Sequence, residues 1–130
     1  MSRTTIDDLL GAARARLQRL TARDAQAAQA DGAVLIDIRS DRQVGADGTI
    51  PGALRIDRNV LEWRLDPTSP HRHPDAPSPE EQVIVVCDAG YQSSLVAATL
   101  QDLGLARATD LDGGFQAWRA AGLPVAPPPA

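Results

Sequence analysis

Val83-Ile84-Val85-Val86 is the segment that most restricts what this chain can fold into. Four β-branched residues in a row, with no polar relief, suit a strand covered on both faces. Such strands belong to parallel sheets whose connections are helices. Ala33-Val34-Leu35-Ile36-Asp37-Ile38 reads as a second buried strand, and Ala53 to Ile56 and Ala108 to Leu111 as two weaker ones. Helical signals fall between and around them. Thr5-Ile6-Asp7-Asp8 is a capping box with Asp in place of Glu, and it predicts an amphipathic helix to about Arg19. Thr21-Ala22-Arg23-Asp24 repeats the signal before an Ala-rich helix ending near Gly32. Asn59 is expected to cap a short helix through Val60, Leu61 and Trp63. From Ser93 to about Leu103, the residues Leu95, Val96, Thr99, Leu100 and Leu103 follow helical spacing, and Gly104 stops the run. Phe115 to Ala121 forms a last helix. Alternating strands and helices define an α/β fold with a parallel sheet and helices on both faces.

At 130 residues the chain has the size of one domain. Asp66 to Glu80 holds five prolines, which exclude a helix or a central strand through most of it. The Pro- and Ala-rich tail from Pro124 to Ala130 is expected to fray or lie extended. The net charge is -4 and no basic block exceeds two residues, so nucleic acid is not an expected partner. Met1 to Leu20 has no uninterrupted apolar stretch and carries Asp7, Asp8, Arg14, Arg16 and Arg19. It reads as neither a signal peptide nor a membrane span, and the expected location is the cytoplasm. His71 and His73 lack a third ligand and read as solvated, so no metal site is expected.

The one cysteine, Cys87, rules out an intramolecular disulfide and a Cys-x-x-Cys redox pair. It stands at the carboxyl end of the clearest strand, just before a helix, where open α/β sheets bind ligands. Gly90 permits a tight turn with its amides facing inward. Such amides, with the first turn of a helix, can cradle an anionic sulfur.

Cys87-Asp88-Ala89-Gly90-Tyr91-Gln92-Ser93-Ser94 resembles the C-x-x-G-x-R-S active-site loop of the rhodanese-like, single-domain sulfurtransferase family. Three further segments agree in order. Leu35-Ile36-Asp37-Ile38-Arg39 is similar to the family's L-[IV]-D-V-R strand. Gly48-Thr49-Ile50-Pro51-Gly52-Ala53 is similar to its G-H-I-P-G-A turn, with Thr49 for His. Asp112 to Trp118 followed by Ala121 to Val125 is similar to its G-G-x-x-A-W…A-G-L-P-V ending. The resemblance implies a three-layer α/β domain with a parallel sheet of about five strands, covering residues 21–125. Residues 1–20 would form a helix ahead of that core, and residues 126–130 a tail. It also implies the chemistry. Cys87 would take a sulfane sulfur from a small anionic donor, thiosulfate or a persulfide. It would pass that sulfur to cyanide, a thiol or a sulfur-accepting protein, without metal or organic cofactor. Asp88, Ala89, Gly90, Tyr91, Gln92 and Ser93 would form the cradle.

Gln92 stands where many members carry Arg, and it brings hydrogen bonds but no charge. Asp88 would oppose a thiolate if it pointed inward. Thiosulfate is therefore expected to be a poor donor, with a higher KM than for an Arg-bearing loop. Arg64, with Trp63, is the first candidate for a compensating rim, and Arg58 is another. The alternative function is a catalytically weak module that carries persulfide or binds a protein. Phosphatase or arsenate reductase chemistry, which similar folds host, needs a longer loop closed by Arg six positions after the cysteine. Ser93 stands there instead. Asp37 and Arg39 are expected to tie the strand end to neighbouring loops, and Trp118 to lie in the core.

Overall fold

Every residue of the strand Val83–Val86 (β3) is buried. Its side chains alternate between two apolar layers, as the period of a strand requires. Val83 and Val85 pack with Leu61, Leu65, Val96 and Leu100, whereas Ile84 and Val86 pack with Ala22, Ala25, Phe115 and Trp118. Full burial of each such side chain contributes about 1.5–3 kcal/mol. This one strand thus ranks with the whole net stability of an ordinary domain, about 5–15 kcal/mol.

The computed structural model describes residues 3–129, and Met1, Ser2 and Ala130 lie outside them. The helices are α1 (Ile6–Ala15), α2 (Ala22–Ala30), α3 (Asp41–Asp47), α4 (Leu61–Leu65), α5 (Gln92–Asp102) and α6 (Gly114–Ala120). The other strands are β1 (Val34–Asp37), β2 (Leu54–Arg55) and β4 (Ala108–Asp110). All strands are parallel, in the order β2-β1-β3-β4. One layer carries α4 and α5, with α1 packed on α5, and the other carries α2 and α6. The mixed α/β architecture is the expected one, with four strands rather than about five. The missing fifth is reduced to a single parallel bridge between Leu20 and Leu111. It cannot lengthen, because Thr21 at once caps α2 by accepting the Asp24 N–H.

Other boundaries also differ from expectation. α1 has its capping box, with Thr5 and Asp8 bonding each other's backbone, but ends at Ala15 instead of Arg19. The chain must leave the helix there for Leu20 to reach the sheet. Asn59 caps nothing. Asp57 caps a 3-10 turn at Arg58–Val60 by accepting the Asn59 N–H, and α4 has no side-chain cap. α3 was not expected at all; its capping box joins Ser40 and Gln43. The tail takes the extended one of its two expected forms at its start. Thr49 and Ala126 exchange backbone hydrogen bonds of 2.9 and 2.8 Å, and Trp118 Nε1 donates to the Pro124 carbonyl. Trp118 is buried, as expected. So is Arg39, which pairs with Asp37 at 2.8 Å, donates to the Gly48 carbonyl and lies over the Phe115 ring. These contacts tie the end of β1 to the neighbouring turn. Among the described residues, no helix is long and apolar enough to cross a membrane.

Candidate active site

From β1 the chain runs outward to β2, then returns to β3 on the other side of β1 and continues to β4. The carboxyl ends of β1 and β3 therefore form the topological switch point, where crevices open in such sheets. Cys87 follows β3 directly at this place. The residue is 1% exposed, and its Sγ accepts the Gly90 N–H at 3.1 Å. Gly90 has φ +86, and a Cβ there would meet the Gly113 nitrogen at 2.7 Å, so only glycine closes the turn without strain.

The backbone N–H groups of Ala89, Tyr91, Gln92 and Ser93 find no acceptor among the described residues. The last two open α5, whose N-terminus has no side-chain cap. A cavity of about 310 Å³ opens beside them, lined by Cys87, Asp88, Ala89, Tyr91 and Gln92. Unpaired amides on the loop beside a cavity that a sulfur lines are an arrangement able to accept an anionic sulfur species.

The loop is held from beneath by the start of α6. Phe115 N–H donates to the Cys87 carbonyl at 2.8 Å and Gln116 N–H to the Asp88 carbonyl at 3.1 Å. Gly114 has φ +61 and lies so close that an added Cβ would stand 2.5 Å from the Cys87 oxygen and 2.6 Å from the Asp88 oxygen. Gly114→Ala is therefore expected to destabilise the fold by about 2 kcal/mol or more and to lower sulfur transfer with it. Thermal melting and turnover assays check this; a variant with wild-type values in both would refute the close contact.

The Asp88 carboxylate does not bond the sulfur. Its Oδ1 accepts from Gln116 Nε2 at 2.8 Å, and Gln116 is itself held by Arg119 and Asp47. Ser93 does not line the cavity, and its buried hydroxyl donates to Asp110. Tyr91 is exposed at the mouth. Of the rim candidates, the structure brings Arg58 to the loop, with Nη1 2.8 Å from Gln92 Oε1. Arg64 instead donates to the His71 carbonyl, and the exposed Trp63 lines a groove with Asp66, Pro70 and Leu103. Both are drawn to the Pro-rich loop after α4.

Sequence reasoning missed Arg14, Arg19 and Asp110 around the back of the loop. Arg14 and Arg19 each donate through Nη2 to the Gly90 carbonyl at 2.8 Å. Arg19 also pairs with Asp110 at 2.9 Å and with Asp112 at 3.3 Å. Burial disfavours the Arg19 charge, but the Asp110 hydrogen bond and the charges of Asp110, Asp112 and Cys87 outweigh it and raise its pKa above the ordinary value. Asp110, fully buried, accepts from Ser93 and Ser94 as well. The sequence signal was an Asp inside an otherwise buried strand, which needs partners.

The sequence pattern of the rhodanese-like domain family matches residues 21–121. The chain is 37% identical over 103 residues to the thiosulfate sulfurtransferase GlpE of Ectopseudomonas mendocina, covering 79% of this chain and 85% of that one. Among solved structures, a protein of unknown function from Rhodopseudomonas palustris, described as a possible tyrosine phosphatase, is 37% identical. It superposes with a TM-score of 0.85 over 96% of this chain and 98% of its own. The polysulfide-sulfur transferase homodimer of Wolinella succinogenes is 26% identical, with a TM-score of 0.70 over 89% of this chain and 82% of its own.

Proposed function

The chain belongs to the rhodanese-like domain family and is a rhodanese-type sulfurtransferase; from that premise we propose that it moves sulfane sulfur through a persulfide on Cys87. The observation that carries this reading is the Cys87 sulfur at the sheet's switch point, bonded by the Gly90 amide on a loop whose neighbouring amides have no acceptor among the described residues. The Cys87 thiolate attacks the outer sulfur of thiosulfate or of a persulfide. The donor S–S bond breaks, and sulfite or a thiolate leaves with the electron pair. The new Cys87 persulfide carries its negative charge within the cradle. Cyanide or a thiol, free or on an acceptor protein, then attacks the outer sulfur. Thiocyanate or a new persulfide departs, and the Cys87 thiolate is regenerated. Each transfer conserves electrons, so no outside oxidant enters. A cytoplasmic site of action is part of the proposal.

Thiosulfate carries two charges and a persulfide one, so the charge of the rim weighs most on thiosulfate. Gln92 supplies none, but Arg58 reaches its side-chain oxygen. Arg58→Ala is expected to raise the thiosulfate KM by about two- to fivefold, with a smaller change for a persulfide donor. Steady-state kinetics with both donors test it, and equal changes for the two would remove Arg58 from donor recognition.

The proposal as a whole is tested with a donor panel of thiosulfate, 3-mercaptopyruvate and glutathione persulfide. One added sulfur on Cys87 by mass spectrometry is the expected result, followed by multiple-turnover release of thiocyanate with cyanide as acceptor, or, with excess thiol, of sulfide as a second thiol reduces the new persulfide and leaves as disulfide. Persulfide without turnover would mark a carrier, and neither would mark a binding module. Phosphatase chemistry has no such support: Ser93 stands at the Arg position and its hydroxyl is committed to Asp110.

A further inference from the structure

Helix α1 precedes residue 21, where the family match begins, yet it reaches the cysteine loop. Arg14, in its last turn, makes three contacts there. Nη2 donates to the Gly90 carbonyl at 2.8 Å, Nε donates to Ser94 Oγ at 3.1 Å, and the guanidinium lies 5.4 Å from the centre of the Tyr91 ring. Arg19 grips the same carbonyl oxygen, but its charge is answered by Asp110 and Asp112. Arg14 has no carboxylate within ion-pair distance among the described residues. It is an uncompensated positive charge held against the back of the loop.

We propose that Arg14 is a positioning residue of the sulfur-transfer site, supplying from behind the loop the positive charge that Gln92 does not supply on its rim. Two geometric facts carry this. First, the carbonyl it grips belongs to Gly90, whose own N–H donates to Cys87 Sγ at 3.1 Å. One glycine's backbone thus separates guanidinium from sulfur, a distance below about 10 Å, the Debye length at 0.1 M salt. Second, a trans peptide points its N–H opposite to its C=O. With the Gly90 carbonyl fixed toward α1, the Tyr91 N–H is fixed away from it, and that N–H has no acceptor among the described residues. Arg14 and Arg19 together set the direction of this amide, and the uncompensated charge of Arg14 polarises it as a donor.

The proposal rests on Cys87 being the working sulfur, but its test needs no turnover. Cys87 is alkylated with anionic iodoacetate and with neutral iodoacetamide at low ionic strength, and the ratio of the two rate constants reads the potential at the sulfur. In Arg14→Gln, which keeps donors but loses the charge, the iodoacetate-to-iodoacetamide ratio should fall by about two- to fourfold. Arg14→Lys should retain the wild-type ratio, and added salt should shrink the difference. If both rates change in proportion in Arg14→Gln, Arg14 merely braces the loop and the proposal is overturned. An unchanged ratio overturns it equally. Thermal melts confirm that the variants compared are folded. A protein that alkylates as expected but never transfers sulfur would defeat the functional reading alone.

Discussion

Cys87→Ser is expected to abolish persulfide formation and to lower multiple-turnover sulfur transfer by about a thousandfold or more, while leaving the fold in place. The loss follows from what the residue must do. A hydroxyl cannot form the sulfur–sulfur bond on which the proposed cycle depends, and at neutral pH it is scarcely ionised. The fold should survive because the change is almost isosteric and the serine oxygen can still accept the Gly90 N–H that now meets the sulfur. The Cys87 side chain lies in the apolar layer with Val85 and Val96, so a hydroxyl there carries a small penalty. A melting temperature within about 5 °C of wild type is the expected result. Intact-mass analysis after exposure to a persulfide donor, together with thiocyanate release, checks both halves. Turnover near the wild-type rate in a folded Cys87→Ser protein would remove the cysteine from the mechanism.

Cys87 was legible in the sequence because its signals are local. The uninterrupted apolar run of β3, the Gly90 turn and the helical spacing after Ser93 sit within about twenty residues of one another, and each has its own physical cause. α3 was equally local, with Ser40 and Gln43 at capping-box spacing, but it buries only Val44. A helix with one buried residue shows no apolar periodicity, and so it escaped. The count of about five strands came from the family resemblance, whereas the residues themselves read as four; the only trace of a fifth among the described residues is the bridge at Leu20, which looks in sequence like the end of α1. Of the expected rim residues Arg58 lies against the loop, but Arg64 does not, for another reason. Arg64 is close in sequence to the turn that leads toward the site, but the Pro-rich loop offers it the His71 carbonyl. Arg14 and Arg19 lie more than seventy positions from Gly90, and no spacing rule joins them to it. Long flexible side chains find their partners only once the helices are packed.

Asp110 is where packing and site meet, and Asp110→Ala should cost about 3–5 kcal/mol of stability. The carboxylate is fully buried and saturated. Oδ1 accepts from Arg19 Nε at 2.9 Å, and Oδ2 accepts from Arg19 Nη2 at 3.2 Å, Ser93 Oγ at 2.8 Å and Ser94 Oγ at 2.7 Å. Truncation leaves a guanidinium, 17% exposed, without its nearer counter-charge and two buried hydroxyls without an acceptor. Against a net stability of about 5–15 kcal/mol this is a large fraction, and the melting temperature should drop by about 10 °C or more. Asp110→Asn should be milder, since an amide oxygen can still accept from the serines while the charge is lost. If the damage comes from the stranded charge, Arg19→Met in the Asp110→Ala background should recover part of the stability. Chemical denaturation of the three variants decides, and an Asp110→Ala loss below about 1 kcal/mol would contradict the account. Activity should fall further than unfolding explains. Ser93 and Ser94 form the first turn of α5, which supplies cradle amides, and Arg19 grips the Gly90 carbonyl. Even below its melting transition, Asp110→Ala should therefore form the Cys87 persulfide more slowly than wild type.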